Sequence, residues 1–404
     1  MIQSPVANNP DRAQTDLLLS VNNVSVDYLA GSGVVHAVND VSFTLKRGEI
    51  LGLAGESGCG KSTLAYAVAR MLRPPAYITG GQVLYYPRSR LDEKGSRLAS
   101  SLSLARSKQH GGNGARRPIA DDEALEPVDV LQMGAEELRS FRWSELSIVF
   151  QSAMNALNPV MNIGRQITDV LRAHRPQMGP DERKQRALEL LRLVGIAPDR
   201  ITSYPHQLSG GMRQRAIIAI ALALNPELII MDEPTTALDV VVQREILTEI
   251  IRLREEFGFS VIFITHDLSL LLELADKVAI MYAGRIVEKA ANRDLYRHPR
   301  HPYSYGLLHS FPSLHGPRTK AGGIPGSPPD LRAIPSGCPF HPRCPLVFSP
   351  CSEVRPELAP STAATPQQLV ACHLSNPTYR PEGPPTQEEL GEGYRALLER
   401  SQLR

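Results

Sequence analysis

The sequence predicts an α/β protein with a mostly parallel central sheet, followed by an irregular, cysteine-bearing C-terminal module. Three observations carry that reading. Short apolar runs alternate with helix-length amphipathic segments. One apolar run leads straight into a glycine-rich loop that opens a helix. Beyond Arg293 the texture changes, with fourteen of the 33 prolines lying between Pro299 and Pro360. Proline at that density is incompatible with a helical bundle.

The elements follow in order. Residues 1–16 are polar and expected to be disordered. Strand-like runs cover Leu18–Val21, Val24–Tyr28 and Val41–Leu45. Glu49–Ala54 is a compact apolar strand, and Lys61–Leu72 reads as a helix. Residues 88–120 break the pattern, with eight Lys or Arg against two acids and many Ser and Gly. They read as a flexible insertion, with a basic interaction loop as the other possibility. A helical subdomain is expected over about 136–225, including an amphipathic helix Arg183–Val194 ended by Gly195. The second α/β run comprises helix Gly211–Leu224, strand Leu228–Asp232, helix Gln243–Glu256, strand Val261–Thr265 and helix Leu268–Ala275. The main domain is therefore placed at 17–293, the C-terminal module at 294–375 and a polar tail at 376–404.

Composition excludes several classes. Lys plus Arg minus Asp plus Glu is 44 − 42, or +2, which argues against a strongly basic nucleic-acid binder and against an acidic disordered tail as the dominant character. No apolar stretch approaches the roughly 18–20 residues that span a bilayer. The N-terminus carries Asp11 and Asp16 and no apolar core segment, so no signal peptide is expected. Any membrane role is then peripheral. Of five cysteines, Cys59 sits in the glycine-rich loop and four lie between Cys338 and Cys372. Without a secretion signal they read as reduced thiols.

Gly55-Glu56-Ser57-Gly58-Cys59-Gly60-Lys61-Ser62, followed by Thr63, matches the phosphate-loop pattern in its proper strand-to-helix context. Its glycines let backbone N–H groups turn onto phosphates at a helix N-terminus. Lys61 is expected at the β- and γ-phosphates and the Ser62 hydroxyl on Mg²⁺; Cys59 is a small filler. Leu228–Met231 ends in Asp232 and Glu233. Such a strand end puts an Asp in the Mg²⁺ shell, with the next acid placed to act as general base.

Leu208-Ser209-Gly210-Gly211-Met212-Arg213-Gln214-Arg215 resembles the signature of ATP-binding cassette (ABC) ATPases, and the remaining motifs fall in family order. Gln151 is similar to the Q-loop glutamine, Ala237-Leu238-Asp239 to the D-loop, and His266 to the switch histidine. Tyr28 is similar to the aromatic that stacks on adenine, unless it is a plain strand-core tyrosine. The resemblance covers about Leu17 to Arg293. It implies an ABC-type nucleotide-binding fold with an antiparallel β subdomain, ATP hydrolysis by Glu233, His266, Gln151 and Lys61, and Mg²⁺ held by Ser62, Gln151 and Asp232. It further implies that Ser209, Gly210, Gly211 and Asp239 serve the ATP bound by a second cassette, a paralogue in preference to a copy.

The signature, Asn155-Ala156-Leu157-Asn158-Pro159 and His301-Pro302-Tyr303 are similar to the importers of oligopeptides, dipeptides and nickel. Ser152-Ala153 and the 88–120 insertion depart from that pattern. The implied partners are two membrane permease subunits and, indirectly, a solute-binding protein, with the chain peripheral on the cytoplasmic face. The competing expectation is a soluble cassette ATPase acting on ribosomes or DNA; the insertion lacks the heptads such proteins carry.

Cys338, Cys344, Cys351 and Cys372 are spaced by six, seven and 21 positions, without the Cys-x-x-Cys turns usual for structural zinc. Spacing alone leaves a metal or free thiols open. The family resemblance implies a [4Fe-4S] cluster, with Zn²⁺ as the alternative.

Overall fold

The computed structural model describes residues 16–31, 33–88, 90–91, 97–98, 126–151, 156–236, 238–310, 323–362 and 365–402. The N-terminal segment before Asp16, most of the 88–120 insertion, Ser152, Ala153 and Ala237 lie outside the described residues.

The first two strands, β1 (Leu17–Ala30) and β2 (Gly33–Lys46), have 14 residues each, where the sequence reads as three short runs. The polar interruption at Asn22-Asn23 is absorbed by a register shift between Val21 and Val24, with Asn23 at φ 51°. β3 (Ile50–Ala54) runs through the phosphate loop into α1 (Lys61–Val68). That helix stops short of the expected Leu72. Arg70 turns left-handed at φ 50°, and Met71 N–H returns to the Tyr66 carbonyl at 2.7 Å. β4 (Ala76–Tyr85) and β5 (Val128–Asp129) complete a four-stranded antiparallel sheet in the order β2-β1-β4-β5.

Next come α2 (Ala135–Ser144), β6 (Leu146–Val149), α3 (Ile163–His174), α4 (Pro180–Leu193) and α5 (Gly210–Ala221). The three helices α3, α4 and α5 contact one another. Ile163, Ile167 and Leu171 line the buried face of α3, four residues apart. β6 instead belongs to the large sheet, so the region of residues 136–225 is part helical layer and part sheet edge.

Then follow β7 (Leu228–Asp232), α6 (Val240–Phe257), β8 (Ser260–Ile264), α7 (Leu268–Leu274), β9 (Lys277–Tyr282) and β10 (Arg285–Ala291). α6 begins three residues before its expected start because Asp239 caps it, accepting from Val241 and Val242 N–H. The five strands β6, β7, β8, β3 and β9 are parallel, and β10 pairs antiparallel with β9. Both faces of the sheet are covered. Ile229, Val261 and Phe263 enter one core, while Ile230, Ile262 and Ile264 enter the other.

The C-terminal region is bound closely to the cassette. After α8 (Asn292–Arg297), α9 (Pro302–Leu308) and the short α10 (Pro350–Glu353) come β11 (Ala359–Pro360) and β12 (Leu369–Val370). The last two extend the large sheet to eight strands, β12 pairing with Glu288 and Lys289 of β10. Glu288 is a buried hub. Its carboxylate accepts from Arg300 N–H, His301 N–H and the Gln368 amide, each at 2.9 Å. The expected polar tail contains a helix, α11 (Gln387–Gln402). Leu390 and Tyr394, one turn apart, are its buried anchors, and Tyr394 OH donates to the Pro302 carbonyl at 2.9 Å.

Candidate active site

The phosphate loop is shaped by close backbone approach. Gly55 and Gly60 have φ of 148° and 105°. A Cβ there would stand 2.2 Å from the Met281 carbonyl oxygen and 2.1 Å from that of Ala37, so neither position accepts another residue. Lys61 is buried, and its Nζ donates to the carbonyls of Gly55 at 2.8 Å and Glu56 at 3.0 Å. Cys59 is also buried, which raises its thiol pKa even though Lys61 opposes the shift. That is the behaviour of a filler. Tyr28 OH lies 3.2 Å from Thr63 Oγ1, so the β1 tyrosine stands beside the start of α1.

β7 and α1 meet at Asp232. One carboxylate oxygen accepts from Ser62 Oγ at 2.9 Å and the other from Tyr66 OH at 2.9 Å. Burial raises the Asp232 pKa, Glu233 adds to the rise, and the two hydroxyl donors oppose it. A serine hydroxyl and a carboxylate held together present hard oxygen donors, which fit Mg²⁺.

Glu233 follows at φ 46°, a left-handed conformation rare for a side-chain-bearing residue. Its N–H is fixed to the Ile264 carbonyl of β8 at 2.9 Å. The carboxylate gathers neighbours from separate loops. Oε2 accepts from Gln151 Nε2 at 3.0 Å and Thr236 Oγ1 at 3.0 Å, and His266 Nδ1 lies 3.4 Å from Oε1. The fold thus unites Gln151, Glu233 and His266 around one carboxylate, next to the Ser62–Asp232 pair.

Ser209, Gly210, Gly211 and Asp239 are arranged differently. Ser209 caps α5, accepting from Met212 N–H at 3.3 Å, and Asp239 caps α6. Among the described residues no hydrogen bond joins these turns to the chain's own phosphate loop. Exposed Val240 and Val241 follow Asp239. Of the contacts that sequence reading missed, Tyr66 and Thr236 sit at helical or turn spacing from Ser62 and Glu233 and could have been found. Arg343, which reaches Glu56, carried no local signal, and Tyr303 stood out only within His301-Pro302-Tyr303, with nothing to show that it reaches Glu56.

The four C-terminal cysteines occupy one region. Cys338 N–H donates to the Cys351 carbonyl at 2.8 Å. Burial raises the pKa of all four thiols, that of Cys338 to about 11 and that of Cys344 to about 12. Neighbouring thiols add to the rise at Cys338, Cys344 and Cys372. Among the described residues, no three His, Cys, Asp or Glu side chains are drawn together around a single metal ion. On that count neither the [4Fe-4S] expectation nor the Zn²⁺ alternative is supported.

The fold and this site define a phosphate-loop ATPase. The comparisons agree. The ABC transporter family model matches residues 38–236, and the model for the oligopeptide/dipeptide transporter C-terminal region matches residues 287–351. The probable peptide ABC transporter ATP-binding protein y4tR of Sinorhizobium fredii is 39% identical, over 90% of this chain and 96% of its own length. The oligopeptide transport ATP-binding protein OppD of Salmonella typhimurium is 38% identical (88% and 93% covered), as is the dipeptide transport ATP-binding protein DppD of Bacillus subtilis (89% and 95%). A dimeric post-hydrolysis structure of the cassette MJ0796 bound to ADP and Pi aligns with TM-score 0.52 and 25% identity, over 68% of this chain and 99% of that one. The chain belongs to the ABC transporter family, among its oligopeptide and dipeptide transport ATP-binding proteins.

Proposed function

We propose that this chain hydrolyses ATP to power peptide import, as one of two cassettes, a paralogue being the other, beneath two membrane permease subunits. The observation that carries the reading is the meeting of Gln151, Glu233 and His266 beside the Ser62–Asp232 pair, while the Ser209–Gly211 turn and Asp239 lie apart. One half of an ATP site is built from the chain's own loops. The other half is offered outward, beside exposed Val240 and Val241.

In this reading the loop amides and Lys61 bind the β- and γ-phosphates, and Tyr28 stacks on adenine. Ser62 and Asp232, with Gln151, hold Mg²⁺, which neutralises phosphate charge. Glu233 accepts the proton of the attacking water, Gln151 and Thr236 orient its carboxylate, and His266 faces the γ-phosphate. Ser209, Gly210 and Gly211 give the partner's nucleotide a second anion cradle. Peripheral attachment to the cytoplasmic face follows from partnership with the permeases; among the described residues no helix is long and apolar enough to cross a membrane. A solute-binding protein delivers the peptide.

The finer reading of the C-terminal region is a [4Fe-4S] cluster on Cys338, Cys344, Cys351 and Cys372. Four buried or partly buried cysteines in one region, with neighbouring thiols acting on Cys338, Cys344 and Cys372, support it, because a cluster takes thiolate ligands spread round a larger body than a single ion. Its role here is cross-linking a segment poor in regular hydrogen bonds.

Reconstitution tests the whole. Purified alone, the chain hydrolyses ATP slowly; in proteoliposomes with its cognate cassette and permeases, peptide-loaded binding protein stimulates turnover. Full peptide-independent turnover by the lone chain would overturn the importer reading.

A further inference from the structure

Arg343 lies in the cysteine-bearing region, between Pro342 and Cys344, yet its side chain reaches the phosphate loop. It is 6% exposed. Nη1 donates to Glu56 Oε2 at 2.7 Å and Nη2 to Oε1 at 3.0 Å, a bidentate pair between residues 287 positions apart. The other donors are also engaged, with the Pro325 carbonyl at 2.9 Å, the Ile324 and Gly326 carbonyls at 3.3 Å and Tyr282 OH at 3.3 Å. The Glu56 backbone is held from the same side, its N–H donating to Tyr303 OH at 2.8 Å. Tyr282, Tyr303 and Phe340 pack edge-on or tilted around this pair, with ring centroids 4.6–5.3 Å apart.

The arrangement resolves a conflict within the loop. Residues 55–62 must cradle an anion, yet the second of them is a carboxylate. Uncompensated, that carboxylate would repel the β- and γ-phosphates and draw Lys61 towards itself. A fixed guanidinium cancels the charge and orients the loop at the same time. No other residue reaches Glu56 from the C-terminal region with a charge among the described contacts.

We propose that Arg343 is a positioning residue for nucleotide binding. It neutralises Glu56 and pins the phosphate loop, so the C-terminal region takes part in setting ATP affinity. The proposal rests on the phosphate-loop reading of residues 55–62.

The test is an equilibrium titration of the full-length chain with a fluorescent ATP analogue and Mg²⁺, beside melting curves without nucleotide. Arg343→Met should weaken binding about tenfold or more, as expected for loss of a charge-assisted bidentate contact. Adding Glu56→Gln should restore affinity to within about threefold of Glu56→Gln alone, because the two residues act as one unit. Unchanged affinity in Arg343→Met overturns the proposal. So does a double variant that regains its melting point while binding as weakly as Arg343→Met, since that marks a purely structural brace. Should Arg343→Met fail to fold, Arg343→Gln enters the same two comparisons. Failure of the wild-type chain to bind nucleotide any better than Lys61→Ala would instead defeat the phosphate-loop reading itself.

Discussion

Gln151 donates its side-chain amide to the Glu233 carboxylate at 3.0 Å across 82 positions of chain. The loop after β6 and the end of β7 are brought together because those strands are parallel neighbours, Val149 opposite Met231. Glu233 is locked at φ 46° with its N–H on Ile264, so its carboxylate is aimed by the backbone as well as by its partners. If Glu233 is the general base, Glu233→Gln keeps the shape and removes the proton acceptor. Turnover in the assembled transporter should fall by roughly 10²–10⁴-fold with ATP binding retained. Single-turnover hydrolysis beside nucleotide titration measures both, and near-normal turnover would remove Glu233 from that role.

Tyr66 supplies one of the two hydroxyl donors to buried Asp232. Tyr66→Phe leaves that carboxylate oxygen short of a partner, at a cost of about 1–3 kcal/mol in urea denaturation. Burial already holds the Asp232 pKa above its ordinary range, and losing a donor to the charged form raises it further. Less of Asp232 is then ionised at a given pH. The Mg²⁺ concentration for half-maximal hydrolysis should rise, more at pH 6 than at pH 8; equal shifts at both would contradict the argument.

The cysteines give a metal prediction. Anaerobically purified protein should be brown, with close to four irons per chain, as a four-thiolate cluster requires. Cys344→Ser should bleach the colour and lower the melting point of the C-terminal region, while nucleotide still protects the cassette core from proteolysis. One zinc and no iron by elemental analysis would reject the cluster and keep the cross-link. Intact folding and transport with all four cysteines replaced would reject both.

His301 makes the chain acid-sensitive. Burial pushes its pKa down to about 3 from 6.5, because its ring lies inside the junction between β10 and α9. Below about pH 6.5 the unfolded chain takes up a proton that the folded chain refuses. Stability therefore falls as pH drops from about 6.5 towards 3, and this contribution levels off below that. His301→Asn retains an acceptor for Tyr303 N–H, which now donates to His301 Nδ1 at 3.0 Å, and does not titrate. Between pH 7.5 and 5 the wild type should lose about 2 kcal/mol more stability than the variant. Parallel urea-denaturation curves across that range would show that the ring titrates normally.

Much of this protein was legible in one dimension. The phosphate loop and the apolar strand ending in Asp232-Glu233 are local devices. Each works through the conformations of adjacent residues, so spacing and residue type were enough to find them, whereas the turn at Ser209 was picked out by its family resemblance. The central strands were equally plain, because a strand buried on both faces is a continuous apolar run. Boundaries were harder. α1 ends at a left-handed Arg70, and the strand β1 continues through Asn22-Asn23 by a bulge, and neither event has a firm residue signature. What only the tertiary structure decided is how distant segments meet. β11 and β12 enter the sheet through Glu288, α11 forms where a polar tail was expected, and Arg343 crosses 287 positions to hold Glu56. Those pairings depend on burial, which strengthens a hydrogen-bonded charge pair and makes an unpaired one costly. Burial is set by everything packed around a residue, so no local stretch of sequence encodes it.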